Sequence, residues 1–104
     1  MDIQTFNENC YEVMDKVQEI LNNKGLEYRT DEDVFSNFIS TGKQLGLTEY
    51  QIWNVYFSKH IASINNAIKL SPDKPGGNMC EPLDGRIVDA IAYLCLLYGM
   101  TKRP

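Results

Sequence analysis

Three side chains in the last quarter of the chain, Arg86, Asp89 and Tyr93, follow one another at spacings of three and four. On a helix that spacing stacks them along one stripe. A guanidinium there grips a phosphate through charge-assisted hydrogen bonds, a carboxylate accepts from a ligand or takes a metal ion, and a phenol offers a hydroxyl or a stacking face. The same two charges at i and i+3 also make an ordinary weak ion pair at a bundle edge, and residue types alone leave both readings open. His60 lies among Tyr56, Phe57, Ile61 and Ile64. A lone imidazole in such a stripe is either a satisfied core group or a functional one. Catalysis requires a partner that orients the ring, and metal binding requires further ligands. Lys59 beside it is expected to be solvated. Lys24, Tyr28 and Arg29 form a third cluster, just before the acids Asp31, Glu32 and Asp33. A cation with an aromatic ring is the minimum for holding a phosphate and stacking a base, and it is also ordinary loop composition.

Four more carboxylates, Glu8, Glu12, Asp15 and Glu19, recur at helical spacing and superficially suggest a magnesium site. On a wheel of about 100° per residue they fall roughly opposite the apolar side of their own segment, so a solvated acidic face is expected. The three cysteines, Cys10, Cys80 and Cys95, are odd in number and lack CxxC spacing. Neither a disulfide framework nor a zinc site is indicated, and a reducing cytoplasm fits.

The elements that position these residues read as helices. Ile3, Phe6, Cys10, Val13, Met14, Val17, Ile20 and Leu21 repeat at three and four, with Asp2 or Thr5 available as a cap and Gly25 as a stop. A polar loop follows. Thr30 or Asp31 can cap a short second helix with Val34, Phe35, Phe38 and Leu45 on one side, ending at Gly46. Thr48 with Gln51 makes a capping box for a third helix running to about Leu70, whose apolar stripe is Trp53, Tyr56, Phe57, Ile61, Ile64, Ala67 and Ile68. Residues 71–82, rich in Pro and Gly, read as a mobile loop, and Pro82 suits the first turn of a fourth helix that reaches about Met100. On that helix Leu83, Ile87, Ala90, Ile91, Leu94 and Leu97 form one face, with Val88, Cys95 and Leu96 well outside it. A helix apolar almost all round must be covered on several sides, so a dimer or higher oligomer is expected. No alternating strand pattern is present. The expectation is one all-α domain over residues 1–104, a compact four-helix bundle with the third and fourth helices central.

Composition bounds the function. The chain has 104 residues, 43% hydrophobic and 23% charged, which suits one soluble domain. Ten Lys+Arg against fourteen Asp+Glu give a net charge of −4, with no basic run. Binding to a nucleic-acid polymer, which is driven by neutralising many phosphates, is not expected, whereas a small phosphorylated ligand needs only one or two cations. The acidic start has no signal-peptide character, and no stretch reaches the roughly 20 apolar residues of a membrane span. Neither secretion nor membrane insertion is therefore expected.

The order KGLEY, an acidic segment leading to VFSNF, then LGLTEYQIW, KHIASI and EPLDGRIVDAIAYLCLL resembles small phage-encoded proteins related to the all-α MazG-like nucleotide pyrophosphohydrolases and to nucleotide-modification-associated helical domains. The resemblance spans Asn22 to Leu97. Its most specific parts are the spacing of Lys24, Gly25 and Tyr28, the pairs Asn37-Phe38 and Lys59-His60, and Asp89 followed by Ala90, Ile91, Ala92 and Tyr93. It implies an oligomeric helical bundle in the cytoplasm of a bacterial host that holds a nucleotide between helices, with magnesium bridging phosphates to carboxylates. Asp89 matches the late aspartate of that pattern. Arg86 stands where a glutamate belongs, three residues earlier, and the early ExxD, Glu12 to Asp15, lies on the face expected to meet solvent.

That departure changes the chemistry. Carboxylate clusters concentrate magnesium and activate water, whereas an arginine contacts phosphate directly. The resulting expectation is a protein that binds or sequesters a nucleotide or a nucleotide-derived signal without turning it over, as a phage counter-defence protein would. The ligand residues are then Arg86, Asp89, Tyr93, Lys24, Tyr28, Arg29 and His60, with no cofactor required. The alternative is a magnesium-dependent nucleoside triphosphate pyrophosphohydrolase with Asp89 as metal ligand and Glu81 and Asp84 nearby. A third class is an inhibitor that docks on another protein through its acidic face.

Overall fold

The computed structural model describes residues 1–23, 33–77 and 83–103. Four helices account for 81% of the described residues, and no strand occurs among them. These are α1 (Ile3–Asn23), α2 (Ser36–Leu45), α3 (Glu49–Leu70) and α4 (Leu83–Thr101).

Each boundary has a local cause. Asp2 Oδ1 accepts from the Thr5 N–H at 2.8 Å and caps α1, a bond that holds the Asp2 carboxyl below its ordinary value of 3.8. This contribution to stability is complete above the unfolded value and is lost as pH falls through the lowered one. The candidate caps Thr30 and Asp31 of α2 lie outside the described residues, and Asp33 makes the turn that leads into α2. Its Oδ1 accepts from the Phe35 N–H at 2.8 Å and its carbonyl from the Ser36 N–H. Gly46, at φ 70°, closes α2 in the left-handed conformation, and the N–H groups of Gly46 and Leu47 both donate to the Gly42 carbonyl. Thr48 and Gln51 form the reciprocal capping box of α3. After α3, residues 71–77 make successive turns through Lys74 and Gly77, with Gly76 at φ 92° against Leu83.

α4 is the shared wall of two apolar clusters. On one side Val88 and Ala92 bury against Val17, with Val13, Ile20, Leu21, Ile91 and Cys95 around them. On the other, Met100 joins Phe35, Phe38, Ile52 and Trp53, with Tyr56, Phe57, Tyr93, Leu96 and Leu97 packed alongside. The backbone of α1 approaches only α4, α2 approaches only α3, and α3 and α4 share the most extensive seam among the described residues. The arrangement is therefore open rather than the compact bundle expected: the radius of gyration is 15.7 Å, against about 13 Å for a compact chain of this length.

The buried faces differ in detail from the expected stripes. Ile87 and Leu94 are exposed, while Val88 and Ala92 are buried, because α4 is flanked by α1 and α3 on sides that an almost uniformly apolar wheel does not distinguish. Val34 and Leu45 of the second segment and Ile68 of the third are also exposed, and Ile52 joins the core. The acidic face of α1 meets solvent as expected: Glu8, Glu12, Asp15 and Glu19 are all exposed, and Glu12 pairs with Lys16 at 3.3 Å.

The tight α2–α3 connection makes a sharp prediction. Alanine is ordinarily better than glycine inside a helix by about 1 kcal/mol. At Gly42, however, a Cβ would sit 2.6 Å from the Leu47 carbonyl oxygen. Gly42→Ala is expected to destabilise the fold by about 1–3 kcal/mol in urea unfolding, through the strain of an overpacked contact. A raised unfolding midpoint would contradict this packing.

Candidate functional site

α3 and α4 run antiparallel, and their register is set by contacts along the whole seam. The Tyr50 hydroxyl donates to the Met100 carbonyl at 3.2 Å, and the Trp53 indole N–H donates to the Tyr93 carbonyl at 2.7 Å. Arg103, just past α4, pairs with Glu49 at the start of α3 and lies 5.0 Å above the Phe35 ring. With Tyr50 opposite Met100 and Trp53 opposite Tyr93, His60 comes level with Asp89.

His60 Nδ1 stands 4.0 Å from Asp89 Oδ2, and the two side chains are 20% and 35% exposed. The imidazole also lies 4.8 Å from the Tyr93 ring, inclined at 42°. Tyr93 in turn meets Tyr56 at 6.5 Å and Phe38 edge-on at 6.3 Å, so the polar cluster sits on an aromatic floor. Asp89 is the carboxylate beside the His60 ring, close to it but beyond hydrogen-bond distance. Arg86 lies one helical turn before Asp89, half-buried, with its Nε buried.

The structure brings together Asp89, Tyr93 and His60, with Arg86 adjacent on the same helical stripe. Lys24, Tyr28 and Arg29 lie outside the described residues, as does Glu81, and Asp84 is exposed. Two neighbours are missing from the sequence-derived site. Tyr56 stands one turn before His60 on α3 and lines the floor through Tyr93. Lys59, expected to be simply solvated, is exposed and places its Nζ 5.9 Å from the Tyr56 ring centroid. The spacing of Tyr56 and His60 at i and i+4 was the available signal for the first.

Chemically, the cluster offers ring faces for stacking, an imidazole–carboxylate pair for hydrogen bonding, and a guanidinium and an ammonium for anionic groups. Asp89 and His60 are the two metal-capable groups. Among the described residues no group of three or more His, Cys, Asp or Glu side chains converges to hold a metal ion, and no helix is long and apolar enough to cross a membrane. No protein-family model, curated protein or solved structure matches the chain.

The hydrogen bond that fixes this register is testable. Trp53 is the only tryptophan, is buried, and stacks on Phe57 at 4.7 Å. Trp53→Phe keeps a ring there but removes the donor to Tyr93. The expected loss is about 1–3 kcal/mol of stability, combining the lost bond with the smaller ring. A change below about 0.5 kcal/mol, followed by circular dichroism in denaturant, would show that the bond does not hold the seam.

Proposed function

We propose that the protein binds a nucleotide or a nucleotide-derived signalling molecule, without turnover, at the α3–α4 seam. The observation that carries this reading is the meeting of His60, Asp89 and Tyr93 across two helices, beside Arg86. Asp89 and His60 lie within 4.0 Å, and the His60 and Tyr93 rings within 4.8 Å. In this reading a planar base stacks on the Tyr93 or His60 ring, Asp89 accepts from its exocyclic donors, and Arg86 contacts phosphate directly, with Lys59 adding charge at the rim. The resemblance to MazG-like proteins supports a nucleotide as the ligand class, and Arg86 in place of an acid supports binding over hydrolysis. In a phage-encoded protein such binding would serve to withdraw a host nucleotide or immune signal from circulation.

The test is calorimetric titration with a panel of nucleoside mono-, di- and triphosphates, with magnesium and with a chelator. A direct site binds equally in both conditions, and Arg86→Ala weakens binding at least tenfold, since each charge-assisted bond is worth about 1.5–3 kcal/mol. Asp89→Asn weakens binding irrespective of magnesium. Pyrophosphate release would instead support the magnesium-dependent enzyme. A curve for Arg86→Ala that overlays the unmutated protein would remove the phosphate role, and with no binding by any nucleotide the acidic face of α1 becomes the stronger candidate as a protein-docking surface.

A further inference from the structure

The single chain exposes more surface than its size calls for, and several large apolar side chains are among the exposed residues. Its accessible area is 7574 Å². A folded monomer of 11.9 kDa is expected to expose about 5,900 Å², so the excess is about 1,600 Å². Among the described residues two apolar stripes stand uncovered. On α1, Phe6 and Cys10 fall within about 20° of Val17 on the helix wheel. Val17 is fully buried against α4, yet Phe6 is 53% exposed, because the first half of α1 has no helix packed upon it among the described residues. On α4, Ile87, Leu94 and Tyr98 recur at seven and four along the side facing neither α1 nor α3, and all three are exposed.

We infer that the protein is a two-fold dimer in which the exposed α1 stripe of each protomer covers the exposed α4 stripe of the other. Three features commit the face to a second copy. The stripes match in length: Ile3 to Met14 and Ile87 to Tyr98 each span eleven steps, about 16 Å of helix. Two such contacts related by a two-fold axis are self-complementary, as an isologous interface must be. Taking up only half of that excess on each protomer buries about 1,600 Å² in total, the size of a standard stable interface. Charge permits it, since the stripes carry none and the acidic residues of α1 point the opposite way, where net charges of −4 on each copy stay apart in water.

Sedimentation equilibrium of the full chain tests this, with Phe6→Glu on α1, Leu94→Glu on α4 and Val55→Glu as a control on an exposed apolar residue of α3 outside both stripes. Expected are a mass twice the 11.9 kDa protomer and a dimer dissociation constant raised at least a hundredfold by either stripe variant, with helical circular dichroism retained and the control unchanged. A monomer at high micromolar concentration would overturn the inference. So would a dimer that survives both stripe variants, or one sensitive to Leu94→Glu and indifferent to Phe6→Glu, which would place two α4 helices against each other. Phe6 is half in solvent within the protomer, so its variant reads the interface even where Leu94→Glu perturbs folding.

Discussion

The rest of the structure depends on the need to cover α4 on two sides at once. Its side chains are apolar nearly all the way round, so each flank that water touches costs free energy in proportion to its area. α1 takes one flank, where Val88 and Ala92 leave room for Val17, and α3 with α2 takes the other, where larger aromatic groups fill the space. Because α1 and α3 are both committed to α4, they do not meet, and the protein spreads to 44 × 30 × 22 Å instead of closing into a bundle. The third flank of α4 and the first half of α1 are left apolar and open.

The position of the polar cluster follows from that division. Asp89 and Tyr93 lie on the α3 side of α4, and the hydrogen bonds of Tyr50 and Trp53 to α4 carbonyls hold the two helices in the register that brings His60 level with them. Each such bond is worth only about 1 kcal/mol net, but each also specifies a position, which burial alone does not. A slip of one turn along this seam would leave the aromatic packing similar in kind and separate His60 from Asp89. The two roles of the seam, holding the fold and assembling the cluster, are therefore carried by the same few contacts.

Helix limits were legible in the sequence because their causes are local: Asp2 as a cap, Thr48 with Gln51 as a capping box, Gly46 as a left-handed stop. The outward direction of the α1 acids was legible for the same reason, since one wheel settles it. What α4 turns toward its neighbours was not. When every direction of a wheel is apolar, periodicity cannot say which is buried: Ile87 and Leu94, on the face the wheel favours, are exposed, and Val88, outside it, is buried. The stripe of Arg86, Asp89 and Tyr93 was visible as a spacing on one helix. Its meeting with His60, twenty-nine positions from Asp89 in the chain, depends on the antiparallel register of α3 and α4, and no local pattern encodes that.

Under the proposed function, the α3 side of α4 takes a ligand while the α1 side only packs. Chemical-shift mapping of the ¹⁵N-labelled protein during titration with a nucleoside triphosphate tests it most directly, because residues of both sides alternate along the same helix. Shifts are expected to concentrate at Arg86, Asp89, Tyr93 and His60 and at the Trp53 indole N–H, with Val88, Ala92 and Cys95 little changed. Shifts centred on the α1 acids, or equal on the two sides of α4, would contradict it.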